Sequence, residues 1–307
     1  MHPTRDCCKP PPTSPAPAPR TLGLVRLPGG RFLMGSDRFY PQERPQHPVT
    51  VGPLWIDPAP VTNADFARFV QATGYLTWAE REERGSLVFR TPAMGVACPD
   101  WRLWWISVRE ACWRHPEGAG SNIDARMEHP VVHVCWHDAQ AYARWAGKQL
   151  PTEAQWEYAA RGGLHGAEYA WGDEAVPAGP WRANTWQGQF PIENLALDGW
   201  AGTSPVGSFA PNGFGLLDMI GNAWEWTRQP WSHDHRGTAP PTAGPSGCCV
   251  LPSGTTAAEQ AAQWLVLKGG SHLCADNYCL RYRPAARIPL TADTSTSHVG
   301  FRCVVEA

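Results

Sequence analysis

Apolar positions in this chain keep a helical period in only three places and alternate in short bursts elsewhere. Leu24-Val25-Arg26-Leu27, then Gly29-Gly30, then Arg31-Phe32-Leu33-Met34-Gly35 predict a strand, a turn and a second strand. Thr62 reads as an N-cap with Asp65 three residues on, Phe66, Phe69 and Val70 form an apolar stripe, and Gly74 stops that helix. Val131-Val132-His133-Val134 predicts a short buried strand, followed by Cys135 and a helix over Asp138–Ala146 closed by Gly147. A third helix follows Leu150-Pro151, with Thr152 and Gln155 as a capping box and Gly162-Gly163 as its end. After Gly163 the period fades, and Gly, Pro, Asn and Trp punctuate the chain up to a final predicted strand over Gly300–Val305.

Residues 1–20 are Pro-rich and predict a disordered tail, and 21–307 predict one globular unit without internal repeats. Ser232 to Gln263 reads as a loose Pro- and Gly-containing insertion, not a linker between domains.

The chain has 307 residues, 43% of them hydrophobic, which is enough to bury a full core. A net charge of -2 gives no electrostatic case for nucleic acid or an anionic membrane. Arginine carries nearly all the positive charge, since lysine occurs only at Lys9, Lys148 and Lys268. Seventeen tryptophans suit a loop-heavy fold that uses them as core posts. No apolar run reaches the roughly 18 residues of a membrane helix, and Met1 to Arg20 shows no signal-peptide pattern. The vicinal pairs Cys7-Cys8 and Cys248-Cys249 do not describe a disulfide framework. The expectation is a soluble, cytoplasmic monomer.

The chemistry concentrates in Lys268-Gly269-Gly270-Ser271-His272-Leu273-Cys274-Ala275-Asp276-Asn277-Tyr278-Cys279, followed by Arg281-x-Arg283. Two soft sulfur donors on so short a segment can form a disulfide, exchange electrons, or clamp Cu(I) or Zn(II). Spacing alone does not choose among these, because C-x4-C is neither the usual zinc nor the thioredoxin signature.

Four segments together resemble the formylglycine-generating enzymes, or sulfatase-modifying factors. They are Gly221-Asn222-Ala223-Trp224-Glu225-Trp226, Leu150-Pro151-Thr152-Glu153-Ala154-Gln155-Trp156-Glu157, Trp113-Arg114-His115-Pro116-Glu117-Gly118 and the Cys274–Arg287 block. The resemblance runs in order from about Leu24 to Val305. It implies an α+β fold, a single loop-rich C-type-lectin-like domain with little regular structure. It also implies oxidation, with O2, of the cysteine in a Cys-x-Pro-x-Arg segment of a sulfatase to Cα-formylglycine. In that reading Cys274 and Cys279 hold Cu(I), and Ser271, Trp224 and Tyr278 line the pocket. A two-coordinate bis-thiolate site leaves a position open for a thiol substrate.

The sequence departs from better-known members, which carry Cys-His-x-Ser-Tyr-Cys where this chain has Ala275 and Asn277. Two structural disulfides of secreted animal relatives match Ala143 with Cys303 and Ala160 with Pro284, so neither can form here. The resemblance further implies two structural Ca2+ sites. One uses side-chain oxygens of Asn184 and Asp198 with carbonyls of Thr185 and Trp200; the other uses Asp218 and Glu225 with carbonyls of Gly221 and Ala223. Ordinary Asx-turn and capping chemistry is the bland alternative at both.

Other candidate clusters read as structural. His129, His133 and His137 fall four apart, but Pro130 breaks any shared helical face. His233, His235, Cys248 and Cys249 match no zinc-finger spacing. Trp101, Trp104 and Trp105 read as core, and Glu80 to Arg84 as a solvated charge run. Among rival functions, an iron-dependent sulfoxide synthase would need a histidine-rich iron site and an extra N-terminal helical domain. A thioredoxin-like exchanger would show C-x2-C. A binding module on the same fold remains the alternative, since it needs neither cysteine.

Overall fold

The computed structural model describes residues 23–81, 85–92, 103–175, 179–236 and 263–307. The Pro-rich segment 1–20, with Cys7 and Cys8, lies outside the described residues, as do Trp101, Cys248 and Cys249. No helix among the described residues is long and apolar enough to cross a membrane.

Among the described residues the chain forms eleven short strands and four α-helices. Strands β1 (Val25–Leu27), β4 (Leu54–Ile56) and β11 (Val304–Glu306) form an antiparallel sheet, in which Ile56 lies between Val25 and Val304. Strands β2 (Gly30–Met34) and β3 (His47–Val51) pair separately, as do β5 (Ser86–Phe89) and β6 (Trp105–Val108). The largest sheet has the order β10-β7-β8-β9, from Val299–Gly300, Trp224–Pro230, Trp264–Lys268 and Arg287–Thr291. β10 runs parallel to β7, and the other neighbours are antiparallel.

The three predicted helices form where their caps place them. α1 (Asn63–Thr73) has the Thr62/Asp65 capping box, buries Phe66, Phe69 and Val70, and ends on Gly74 at φ 66°. A single turn, α2 (Trp78–Arg81), follows it. There Glu80 is no solvated charge, because its carboxylate accepts from Thr77 N at 2.8 Å and Thr77 Oγ1 at 2.6 Å. α3 (Trp136–Trp145) starts two residues before the predicted Asp138, whose carboxylate accepts the Cys135 N–H at 2.9 Å. α4 (Glu153–Arg161) keeps the Thr152/Gln155 box and ends on Gly162 at φ 58°.

Three expectations change. Val131–Val134 is buried but is not a strand, because His133 adopts φ 59° and gives its N–H to Thr296 O at 2.9 Å. The final strand divides into β10 and β11, with Arg302 turned inward between them at 0% exposure. β1 and β2, predicted as successive strands about a turn, join different sheets.

One hydrophobic core runs through these elements, from Leu54 and Ile56 past Phe66, Trp156 and Trp226 to Leu267 and Phe301. Ion pairs share that interior. Glu43 receives both terminal nitrogens of Arg283 at 2.6 and 2.8 Å, and Glu225 receives Arg302 at 2.8 Å. These pairs hold loops where ladders are short, and each would be costly to break from one side.

Candidate active site

β8 delivers the cysteine segment. Its last residue, Lys268, is fully buried and donates to Glu157 Oε2 at 2.9 Å and to Ala285 O at 3.3 Å, with Glu153 Oε1 at 3.5 Å. Burial pushes the Glu157 carboxyl up, but Lys268 and Arg161 outweigh it and bring the pKa down to about 2. Burial acts likewise on Glu153, and Arg287 and Lys268 hold it well below the carboxylate range. The Thr-Glu-Ala-Gln-Trp-Glu motif thus clamps the stem of the cysteine loop to α4. After Lys268 the backbone turns through Gly270 at φ 76°, where a Cβ would stand 2.8 Å from Arg281 O. Only glycine fits so close a return of the loop on itself.

Both cysteines stand in this loop as buried thiols, 0% and 3% exposed. The Ser271 amide donates to Cys274 Sγ at 3.4 Å, and Ser271 Oγ accepts the Leu273 N–H at 3.2 Å. Cys274 N–H reaches Ser271 O and Cys279 N–H reaches Ala275 O, both at 2.9 Å, so the two cysteines close successive turns. The chain then anchors outward: the Arg281 guanidinium lies over the Tyr40 ring at 4.3 Å, and Arg283 lies over Phe39 at 3.7 Å. Two buried thiols five residues apart in one loop are donors of the kind a soft d10 ion takes, which fits Cu(I).

An aromatic wall borders the pair. Tyr278, 41% exposed, stacks on Phe190 with centroids 5.0 Å apart and meets Trp104 edge-on at 5.3 Å. Phe190 continues to Phe89 and Trp186, and Trp186 N–H donates to Cys274 O at 3.0 Å. Trp104 is core, as expected, and also wall. A cavity of about 390 Å³ opens along this side, lined among others by Phe89, Glu117, Arg126, Trp186, His272 and Leu273.

Trp224 begins β7, one residue before Glu225, which pairs with Lys268. It therefore starts β7 beside the loop's stem, fully buried, with its Nε1 lacking a hydrogen-bond partner. The sequence reading left out His272 and His298 and took His133 as structural. His272 Nδ1–H donates to Asn222 O at 2.9 Å, and burial lowers its pKa to about 4. His133 Nδ1 lies 2.8 Å from Ser86 Oγ, and burial lowers its pKa to about 3. His298 is buried beside Trp105, with ring centroids 4.7 Å apart. His272 lay inside the quoted motif and could have been flagged; nothing in the sequence points to His298. His129 contacts Thr203 and His137 is exposed, so the three regularly spaced histidines do not converge.

The residues of the first calcium set are tied to one another by hydrogen bonds. Asp198 accepts N–H groups from Thr185, Trp200 and Gln187, and Gln187 also donates to Thr185 O. Asn184 is 0% exposed with its Oδ1 unpartnered, while its Nδ2 donates to Gly202 O at 2.8 Å. An orphaned buried amide oxygen is a donor that a hard cation could use. The second set is close by, since a Cβ on Gly221 would stand 2.5 Å from Asn184 O. There both Glu225 oxygens already accept from Arg302, and Oε2 also accepts Trp156 Nε1 at 2.7 Å. Burial raises the Asp218 pKa to about 6, against the pull of the Gly207 amide and Arg302. The case for a cation is carried by the first set, the second being charge-compensated by Arg302.

The family described as "Sulfatase-modifying factor enzyme 1-like domain" matches residues 11–307. A formylglycine-generating enzyme of Mycobacterium tuberculosis (strain H37Rv) is 55% identical over 297 residues, covering 92% of this chain and 97% of its own. The inactive C-alpha-formylglycine-generating enzyme 2 of Bos taurus is 40% identical over 302 residues, covering 92% and 88%. Among solved structures, PvdO from Pseudomonas aeruginosa superposes with a TM-score of 0.62 at 25% identity, covering 92% of this chain and 94% of its own.

Proposed function

The chain belongs to the sulfatase-modifying factor family, with its loop-rich C-type-lectin-like fold, and we propose that it is itself a copper-dependent oxidase. Its substrate would be the cysteine of a Cys-x-Pro-x-Arg segment in a sulfatase polypeptide, converted to Cα-formylglycine with O2. The observation that carries this reading is the pair of buried thiols, Cys274 and Cys279, five residues apart in a loop whose His272 and Leu273 line a cavity.

In the reaction the substrate carbon loses two electrons and its sulfur leaves as sulfide, while one oxygen atom becomes the aldehyde. The other oxygen leaves as water, using two electrons and two protons from a thiol reductant. Bound between Cys274 and Cys279, Cu(I) would supply a soft site where a substrate thiolate and O2 can meet. Cys274 is oriented by the Ser271 amide, and the stem below it is fixed by Lys268 and Glu157. Tyr278, next to Cys279 in the chain, is 41% exposed, and an incoming peptide can pack there. The deep burial of both sulfurs excludes water from the site.

Calcium is proposed at Asn184, Thr185, Asp198 and Trp200 as a structural tie. A cytoplasmic monomer is proposed as well, in keeping with buried thiols at Cys112, Cys135 and Cys303.

The test is mass spectrometry of a Cys-x-Pro-x-Arg peptide incubated with the Cu(I)-loaded protein, O2 and a thiol reductant, with Cys274→Ser and Cys279→Ser alongside. Thiol-to-aldehyde conversion by the wild type and by neither variant supports the proposal; absence of conversion by the wild type sinks it. A non-catalytic binding module is the second reading, favoured by the relative named as inactive. It requires a Cys-x-Pro-x-Arg peptide to bind equally well to wild type and both serine variants.

A further inference from the structure

Between the two buried cysteines the chain leaves the core. Cys274 and Ala275 are 0% exposed and Cys279 is 3% exposed, whereas Asp276, Asn277 and Tyr278 all face solvent. The path of these exposed residues sets how far apart the two sulfurs stand. A solvent-facing arch has little packing to hold it, so its few fixed contacts decide its shape.

One of those contacts comes from the side chain in the middle. Asn277 Nδ2 donates to Gly188 O at 2.9 Å, across 89 residues of sequence. The segment that offers this carbonyl is itself held. Trp186 Nε1–H donates to Glu193 O at 2.8 Å, the Gln187 N–H to Asn194 Oδ1 at 3.2 Å, and the Leu195 N–H to Gln187 O at 2.6 Å. The same segment meets the cysteine loop at two further points: Trp186 N–H donates to Cys274 O at 3.0 Å, and Phe190 stacks on Tyr278. Residues 186–190 thus touch the start, the middle and the end of the arch, and Asn277 makes the middle contact. It stands where the Cys-His-x-Ser-Tyr-Cys pattern has serine, and its amide nitrogen lies one bond farther from the backbone than a hydroxyl oxygen would.

We propose that Asn277 is a positioning residue for the cysteine pair: its hydrogen bond to Gly188 O fixes the arch, and with it the separation at which Cys274 and Cys279 present their sulfurs to a soft d10 ion. The inference rests on the thiolate-pair reading of this site. A loop ordered before the ion arrives loses less freedom on binding, and the difference appears as affinity.

The experiment measures Ag(I) affinity of the full chain by chelator competition, Ag(I) serving as a redox-silent d10 probe, with thermal unfolding of each metal-free variant alongside. Asn277→Ala removes the donor at an exposed position, so its Tm should stay native. Its Ag(I) affinity should fall about two- to tenfold, the worth of one net hydrogen bond. Asn277→Ser, whose hydroxyl falls short of Gly188 O, should weaken binding to the same degree and keeps the test readable where the alanine variant does not fold. On a Cys279→Ser background the alanine change should have no further effect, because a single sulfur has no separation to keep. Wild-type affinity in folded Asn277→Ala overturns the inference, as does an equal fall on the Cys279→Ser background. A Tm lowered in step with affinity in both asparagine variants assigns Asn277 to the fold and overturns it too. Ag(I) binding without peptide conversion by the wild type sinks the oxidase proposal alone. Failure of the wild type to bind even Ag(I) overturns both.

Discussion

Lys268 and Glu157 meet 2.9 Å apart in full burial, across 111 residues of sequence. One is the last residue of the strand before the cysteine loop, and the other belongs to the motif that opens α4. Removing either charge alone leaves its partner buried and unpaired. Glu157→Gln should therefore cost about 3–5 kcal/mol of stability, read as a lower urea midpoint with an unchanged m-value.

The loop's glycine is a sharper probe of the site than of the fold. Gly270→Ala puts a Cβ 2.8 Å from Arg281 O at a φ of 76°. The left-handed backbone alone costs about 1–2 kcal/mol, and the clash must move the loop that carries Cys274. Far-UV circular dichroism should stay native while Cu(I) affinity falls at least about tenfold, in line with loss of ligand positioning. Native copper affinity in the alanine variant would show that the loop's return path does not set the thiol geometry.

Acid should act in two stages. His133 is buried neutral with a pKa of about 3 against 6.5 unfolded, so the unfolded chain takes up a proton that the folded chain cannot. Stability then falls as pH drops from 6.5 toward 3, by up to about 1.4 kcal/mol per pH unit for this one group. Glu157 behaves as a depressed carboxylate: its stabilisation is complete above 4.5 and is lost as pH falls to about 2. His133→Asn keeps a residue that tolerates φ 59° and removes the titrating ring. Its unfolding free energy should be flatter between pH 6 and 5, and a slope equal to wild type would count against this account.

The cysteine turn was legible because its chemistry is local: two thiols, two glycines and two arginines lie within 15 positions of one another. The helices were legible for the same reason, since Thr62 with Asp65 and Thr152 with Gln155 state their own starts. Where partners are distant, the pattern fails. Val131–Val134 has strand composition, yet His133 turns its N–H to Thr296, 163 residues away. Arg302 interrupts the last strand because Glu225 receives it in the core. Glu153, Glu157 and Lys268 were visible as motif letters, but their joint burial belongs to tertiary structure.

Calcium dependence can be read without any enzymatic assay. Adding Ca2+ at about 100 times its Kd should stabilise the protein by about 2.7 kcal/mol if one site binds only the folded chain. Asn184→Ala removes the orphaned buried oxygen and should abolish most of that shift while EGTA-treated wild type and variant unfold at similar temperatures. An equal calcium response in the variant would move the site elsewhere.

Tyr278 separates ring from hydroxyl at the mouth of the site. Its ring is held between Phe190 at 5.0 Å and Trp104 at 5.3 Å, yet 41% of the residue meets solvent. An aromatic surface so braced can receive the apolar part of a substrate peptide at little entropic cost, because the ring is already ordered. Such packing is worth about 0.5–1.5 kcal/mol beyond area burial, or a few-fold to tenfold in affinity. Tyr278→Ala should accordingly raise KM for a Cys-x-Pro-x-Arg peptide by about three- to tenfold. Tyr278→Phe preserves the stack, so its KM should match wild type. A phenylalanine variant that loses kcat with KM intact would instead assign the work to the phenol, placing Tyr278 in the chemical step and not in peptide packing.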